Sequence, residues 1–180
     1  RIFGENKVQE LADKYEALPK DIVWHLVGHL QTNKVKYIAP FVSLIHSIDS
    51  WKLLEEVNKQ AKKQERLMDV LLQIYIAQED TKFGLSFEEA RDLLHHKQLH
   101  TLENICIRGI MGISTFTDDL KQVRNEFKSL KTFFDAVQSL RSSNFQPDIL
   151  SMGMSGDYKI AIEEGSNMVR IGSAIFGNRM

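Results

Sequence analysis

The sequence predicts an α/β fold, a (β/α)8 barrel, and three observations support this prediction. Apolar runs of strand type alternate with amphipathic helical segments along the whole chain. The last two strand–helix units, within residues 149–176, each have a loop rich in Gly and Ser between the strand and the helix. The chain has 180 residues, which suits one domain with a substantial core. We therefore expect a single domain that covers residues 1–180.

Composition excludes several classes of protein. Hydrophobic residues make up 43% of the chain and charged residues 26%, which are ordinary values for a globular domain. The net charge of −1 indicates neither a nucleic-acid partner nor an acidic membrane surface. Cys106 is the one cysteine and lies in an apolar run, so we expect a buried thiol in a reducing compartment, the cytoplasm. No apolar stretch approaches the ~20 residues of a membrane-spanning helix.

Glycine, proline and serine mark the element boundaries in the first half of the chain. Gly28 closes a strand, and Pro40 ends a helix because its ring cannot continue one. Ser50 is suited to cap the helix that follows it. The predicted elements are, in order, strand 1–3, helix 6–18, strand 22–27, helix 32–39, strand 42–48 and helix 51–63.

Caps and loops also define the second half. Ser86 and Glu89 form the spacing of a capping box, and Thr117 is suited to cap a long helix. Lys82, in a polar loop, is interpreted as a solvated side chain. The predicted elements are strand 67–76, loop 78–84, helix 86–95, strand 105–113, helix 117–140, strand 149–150, helix 157–164, strand 168–171 and helix 174–176.

Seven strands are predicted, whereas a closed barrel of this type has eight. The Gly/Ser loops resemble the phosphate site that follows strands seven and eight of such barrels. This numbering leaves strand one outside the sequence. The chain also opens at Arg1, without Met, in what looks like the end of a strand. We expect that residues precede Arg1 and include the first strand.

The two Gly/Ser loops are candidate anion sites. The first runs from Ser151 to Gly156 and the second is Gly172-Ser173, each directly before a short helix. Glycines let the backbone approach a ligand, and free N–H groups at a helix start attract anions. Two ordinary tight turns are the alternative. The pair of loops favours a phosphate site.

Arg170 is the second candidate site residue. It lies in the apolar run 168–171, two residues before the second loop. A buried guanidinium stays charged and must be paired. It could face the molecule that carries the phosphate, or form a structural ion pair with a carboxylate of the barrel. The sequence leaves both interpretations open.

His25 and His29 are four residues apart but do not form a recognisable zinc motif. The segment is a strand that leads into a turn, so the two side chains do not share a helix face. The Glu of an HExxH motif is absent, and no third ligand follows at a known spacing. We expect no metal site here.

Four motifs resemble the pyridoxal phosphate homeostasis proteins, single-barrel relatives of the alanine racemase N-terminal domain. They are FGENKVQE (3–10), WHLVGHLQTNK (24–34), LSMGMSGD (150–157) and MVRIGSAIFG (168–177), in consistent order along the chain. The resemblance implies that pyridoxal phosphate (PLP) is the cofactor and that the fold is the alanine racemase N-terminal barrel. It also implies a Schiff-base lysine on the first strand, which we expect upstream of Arg1.

The resemblance assigns roles to residues that match the motifs. Arg170 resembles the arginine that faces the pyridine nitrogen of PLP. Asn6 and His25 resemble residues that line the ring side of the pocket. The residues that resemble the phosphate cradle are Ser151, Met152, Gly153, Ser155, Gly172 and Ser173.

Three functions are compatible with these features. The favoured one is a protein that holds and supplies PLP, to PLP-dependent apoenzymes among possible recipients, without substantial catalysis, as a monomer or weak dimer. The alternative is a racemase-like PLP enzyme, but alanine racemases add a C-terminal domain for which this sequence has no room. A ring nitrogen that faces Arg170 also stays unprotonated, and a neutral ring is a poor electron sink. A barrel enzyme for another phosphorylated metabolite would leave Arg170 and the GEN motif unexplained.

Overall fold

Seven parallel strands form one sheet in the computed structural model, which describes residues 1–78 and 83–177. The strands follow one another in chain order, and every neighbouring pair is parallel. This is the strand order of the predicted barrel, so the fold class is confirmed. Lys82 lies outside the described residues. The strands are β1 (Ile2–Glu5), β2 (Val23–Leu26), β3 (Leu44–Ile48), β4 (Met68–Tyr75), β5 (Ile105–Ile113), β6 (Phe145–Met154) and β7 (Met168–Arg170).

Helices connect the strands, and most of their predicted starts are confirmed. Ser50 Oγ accepts the Leu53 N–H at 3.3 Å, and Ser86 and Glu89 form both bonds of the capping box. A 3-10 turn (Thr32–Lys34) precedes α2. The helices are α1 (Val8–Ala17), α2 (Val35–Ile38), α3 (Trp51–Lys63), α4 (Phe87–Leu94), α5 (Leu120–Ala136), α6 (Tyr158–Glu163) and α7 (Ser173–Phe176).

Predicted boundaries in two elements, α5 and β6, were wrong. Asp119, not Thr117, caps α5, because its carboxylate accepts the N–H groups of Lys121 and Gln122 at 2.9 and 3.2 Å. Strand β6 runs from Phe145 to Met154, whereas only 149–150 was predicted as strand and the residues from Ser151 as a loop. The Ser/Gly composition there is typical of a loop, but pairing to β7 at Met154–Arg170 keeps the backbone in the sheet.

The main core lies between the sheet and the helices, because one set of strand side chains faces the helices. A second, small apolar cluster is made by Leu44, Leu71 and Met111, from β3, β4 and β5. Along each strand, the residues that alternate with the core-facing ones point to the other face of the sheet and form this inner cluster, as expected inside a barrel. It forms the floor beneath the carboxyl ends of the strands. Cys106 is buried, as predicted.

Strands β1 and β7 form the two edges of the sheet. Phe3 on β1 and Phe176 on α7 approach each other, with ring centroids 6.4 Å apart. The sheet is therefore a nearly closed barrel. Within the described ranges, none of the helices combines the length and apolarity needed to cross a membrane.

Candidate functional site

The predicted site residues lie on or directly after the carboxyl ends of β1, β2, β6 and β7, the end of a barrel where ligands bind. Asn6 follows β1 and His25 lies on β2. The remaining residues come from β6, β7 and the loops after them. Parallel pairing brings all these strand ends to the same side of the sheet. We call this opening the mouth.

Arg170 points its guanidinium at uncharged partners. It donates to Ser151 Oγ at 2.8 Å and to the Gly112 carbonyl oxygen at 2.9 Å. Across residues 1–78 and 83–177, it forms no ion pair with a carboxylate within 4.0 Å. Desolvation lowers the pKa of Arg170 to about 10, and the charge of Asp157 acts in the opposite direction. The side chain therefore stays cationic at neutral pH, and the ion-pair interpretation of Arg170 is not supported.

A buried chain of polar groups continues from Arg170 into the barrel. Ser151 Oγ lies 3.2 Å from His46 Nδ1, and His46 Nε2 lies 3.1 Å from His25 Nδ1. His25 is 7% exposed, His46 1% and Ser151 0%. Burial lowers the pKa of His25 to about 4. The pKa of His46 falls well below 6.5 because of burial, then the charge of Arg170, then His25. Both imidazoles are neutral at pH 7.

Sequence reasoning missed His46. It lies in the apolar strand 44–48, where a lone histidine is not distinguishable from a core residue. Leu44 and His46 are two residues apart, so they point to the same face of the strand. Once Leu44 is placed in the inner cluster, His46 is expected inside the barrel. That assignment needs the tertiary structure.

Ser151, Met152 and Gly153 lie in β6 rather than in a loop. The Ser151 hydroxyl is part of the inner polar chain, and the Met152 N–H contacts Ser166 Oγ at 3.4 Å. Gly153 has φ +97°, and a Cβ there would lie 2.5 Å from Ala161 Cβ. The need for glycine at this position is thus explained by the packing of α6 on β6.

The two loops meet at the start of α7. Ser155 Oγ accepts the N–H groups of Gly172 and Ala174 at 3.2 and 3.3 Å. Two backbone donors therefore converge on the Ser155 hydroxyl oxygen, which joins the loop after β6 to the start of α7. A Cβ at Gly156 or Gly172 would meet no atom within 4 Å, so both glycines face open space. Ser173 begins α7 and is exposed.

Asn6 lines a cavity of about 210 Å³ on the β1–β2–β4 side of the mouth. The other lining residues are Val27, Gly28, His29, Gln73, Ile74, Tyr75, Phe83 and Ile113. Gly28 is required there, because a Cβ at this position would overlap the Asn6 carbonyl oxygen. His25 and Asn6 thus lie at the same end of neighbouring strands, although only Asn6 borders this cavity.

Two carboxylates, Glu126, which is buried, and Asp157, which is partly exposed, form contacts at the rim of the mouth that were also missed from sequence. Glu126 on α5 accepts the N–H and the hydroxyl of Thr115, both at 2.7 Å. Asp157 accepts the Met154 N–H at 2.6 Å and the Ser114 hydroxyl at 2.7 Å. The Glu126 bonds join the loop after β5 to α5, and the Asp157–Ser114 bond joins it to the loop after β6.

His25 and His29 have different partners. His25 contacts His46, whereas His29 Nδ1 lies 3.3 Å from Asp49 and its ring stacks on Phe83 at 4.0 Å. The part of the chain that the structure describes contains no cluster of three or more His, Cys, Asp or Glu suited to a metal ion.

The mouth offers hydrogen-bond donors that suit a ligand with a phosphate and a second acceptor group. Ser155 and Ser173 lie in the two loops. The Arg170 guanidinium, which has no carboxylate partner among the described residues, lies on the strand that leads into the second loop. Guanidinium only donates hydrogen bonds, so its ligand must accept them. The phosphate and the ring nitrogen of PLP are both acceptors, so the donors present at the mouth suit PLP.

Comparison with known proteins gives the same family over the whole chain. The family described as "Alanine racemase, N-terminal domain" matches residues 1–180. A pyridoxal phosphate homeostasis protein of Aquifex aeolicus is 42% identical over 182 residues, which is 99% of this chain and 77% of that protein. One from Schizosaccharomyces pombe is 35% identical over 181 residues, covering 99% and 75%.

Solved structures share the architecture. PipY of Synechococcus elongatus with PLP bound has a TM-score of 0.83 and 33% identity, covering 97% of this chain and 81% of that one. The alanine racemase of Bartonella henselae has a TM-score of 0.67 and 16% identity, covering 99% and 46%. The second likeness shows the fold alone.

Proposed function

The chain belongs to the alanine racemase N-terminal-domain family, and we propose on that premise that it binds PLP and holds and supplies it in cofactor and amino-acid homeostasis. Relatives at 35–42% identity are named pyridoxal phosphate homeostasis proteins, and PipY has a structure with PLP bound. The observation on this chain that carries the proposal is Arg170. Its guanidinium lies at the mouth beside both loops and lacks a charged partner among the described residues.

The proposed binding roles follow the position of each residue. Arg170 donates to the ring nitrogen, while Asn6 and His25 line the ring side. The phosphate is held at the converging loops by Ser155, Gly172 and Ser173. Gly153 shapes β6 for this contact, and Ser151 and Met152 support it from within the strand.

The proposed role does not include substantial catalysis. Bound PLP supplies an electron sink for amino compounds, and its strength depends on protonation of the ring nitrogen. Arg170 has a pKa of about 10, so it keeps its proton at neutral pH and donates a hydrogen bond instead. A racemase-like enzyme remains the alternative, and the fold likeness to alanine racemases is what favours it.

We also propose the cytoplasm as the location, PLP-dependent apoenzymes as recipients, and a monomer or weak dimer as the assembly. The support is compositional. A single buried cysteine suits a reducing compartment, and the near-neutral charge favours neither nucleic acid nor an anionic membrane.

Titration with PLP and with pyridoxal tests the proposal. The purified protein should bind PLP with a change in cofactor absorbance, inorganic phosphate should compete, and pyridoxal should bind far more weakly. Equal affinity for PLP and pyridoxal would mean that the loops do not hold a phosphate.

A chiral assay across the standard amino acids tests the absence of catalysis. We expect no appreciable racemase, transaminase or decarboxylase turnover by the PLP-loaded protein. Turnover at ordinary enzyme rates, on the order of 1 per second or faster, would replace the carrier with the enzyme.

A further inference from the structure

The inner polar chain has a fixed direction because it begins at a group that can only donate. Arg170 donates to Ser151 Oγ at 2.8 Å, and a guanidinium has no acceptor. Ser151 is fully buried, so its own hydroxyl hydrogen needs an acceptor inside the protein. Apart from Arg170, the hydroxyl's described neighbour is His46 Nδ1, at 3.2 Å.

The donor-to-acceptor direction of the hydrogen bonds continues from Ser151 through both histidines. If His46 Nδ1 accepts from Ser151, a neutral His46 carries its proton on Nε2. That Nε2–H points at His25 Nδ1, 3.1 Å away, which must therefore accept. A neutral His25 is then left with its proton on Nε2. Burial keeps both rings neutral at pH 7, as the direction requires.

His25 Nε2 lies at the free end of this chain. Among residues 1–78 and 83–177 it has no hydrogen-bond partner, and His25 lies near the carboxyl end of β2, the end of the strand at the mouth. An imidazole that its neighbours hold in one tautomer need not reorganise when a ligand acceptor binds to it.

We propose that a one-way chain of hydrogen bonds, begun by Arg170, fixes the His25 Nε2–H as a donor toward the phenolic oxygen on the ring of the ligand. His46 is the positioning residue in this chain. The identity of the ligand rests on the proposed function. Arg170 is the proposed donor to the ring nitrogen and the loops are the proposed site of the phosphate. The phenolic oxygen on the ring is an acceptor that these groups leave unpaired. His46 contacts no ligand in this arrangement and acts through His25.

Nitrogen NMR of the ligand-free protein tests the direction without any cofactor. At pH 7, a coupling across the hydrogen bond should join His46 Nε2 to His25 Nδ1, with the proton attached to His46. His25 should show its own proton on Nε2. A proton attached to His25 Nδ1 would reverse the chain and overturn the inference. Ser151→Ala, which removes the relay to His46, should reduce the coupling.

PLP titration of His25→Phe, His46→Phe and the double variant tests the positioning role. Each single variant should bind more weakly, and His25→Phe by roughly tenfold, the upper range for one lost hydrogen bond between neutral groups. The double variant should match His25→Phe within about twofold, because His46 acts only through the donor that His25→Phe already removes. Losses that multiply would show independent roles and overturn the positioning role. His100→Gln, on an exposed histidine outside the chain, is the control and should bind as the wild type does.

The two hypotheses fail in different ways. A wild-type protein that shows the expected protonation but does not bind PLP would overturn the proposed function alone. A wild-type protein that binds PLP with the proton on His25 Nδ1 would overturn this inference alone. Thermal unfolding of each variant separates loss of folding from loss of binding, and the wild-type coupling decides the direction even if a variant does not fold.

Discussion

Arg170 donates to a hydroxyl and to a carbonyl, and neither partner neutralises its charge. Arg170→Ala should therefore weaken PLP binding by about 10- to 100-fold, the effect of one lost hydrogen bond to a charged group. It should also shift the cofactor absorbance, because the ring nitrogen loses its donor. Spectroscopic titration measures both. Arg141→Ala removes an arginine that pairs with Asp148 near the start of β6, and should leave both properties unchanged. Unaltered binding and spectrum in Arg170→Ala would contradict the ring-side role.

Gly153 and Gly156 form a matched pair three residues apart. Gly153 has φ +97° and no space for a Cβ beside Ala161, whereas Gly156 has open space. Gly153→Ala should lower the free energy of unfolding by about 1–3 kcal/mol, and Gly156→Ala should change it little. Urea unfolding of both variants measures the difference. Similar stabilities would mean that α6 does not pack on β6 as closely as described.

Most strands and two of the three predicted caps were predicted well because their signals are local. Ser50 and the Ser86–Glu89 box are read from neighbouring residues, and each forms the expected bonds. Segments whose conformation depends on distant pairing were predicted less well. Composition at 151–154 indicates a loop, but β6 continues there because β7 pairs with it.

The site residues also divide into those with a local sequence signal and those whose role depends on distant contacts. Arg170 and both Gly/Ser loops could be identified from the sequence, since an arginine in an apolar run and paired glycines are visible locally. His46, Glu126 and Asp157 could not, because their importance comes from contacts across the barrel. His46 reaches Ser151, which is 105 residues away in the chain.

The loops after β6 and β7 should account for the difference between PLP and pyridoxal. Ser155 Oγ lies where the two N–H groups converge, and Ser173 is the first residue of α7. The double variant Ser155→Ala/Ser173→Ala should bind PLP at least tenfold more weakly, because it loses hydrogen bonds to a charged phosphate. Pyridoxal affinity should not change. Calorimetric titration compares the two ligands, with Ser139→Ala, at an exposed serine in the 3-10 helix after α5, as control. An equal loss for both ligands would place the hydroxyls away from the phosphate.

The whole molecule should lose stability on mild acidification. His25 has a folded pKa of about 4, below its ordinary value of 6.5, so the unfolded chain binds more protons between these values. The stabilisation is complete above pH 6.5 and is lost as the pH falls toward 4. His46 is shifted in the same direction, by burial and by the charge of Arg170.

From pH 7 to pH 5, the contribution of His25 alone should fall by roughly 2 kcal/mol. Urea unfolding at intervals of half a pH unit measures this slope. The interval from pH 7 to pH 5 lies above the range in which most carboxylates titrate. His25→Gln cannot take up the proton and should show a shallower dependence, whereas His100→Gln should retain the wild-type slope. A flat wild-type profile between pH 7 and 5 would mean that the inner histidines are already protonated or are open to water. Either condition is incompatible with a buried, neutral His25–His46 pair, since His46 needs an unprotonated Nδ1 to accept from Ser151.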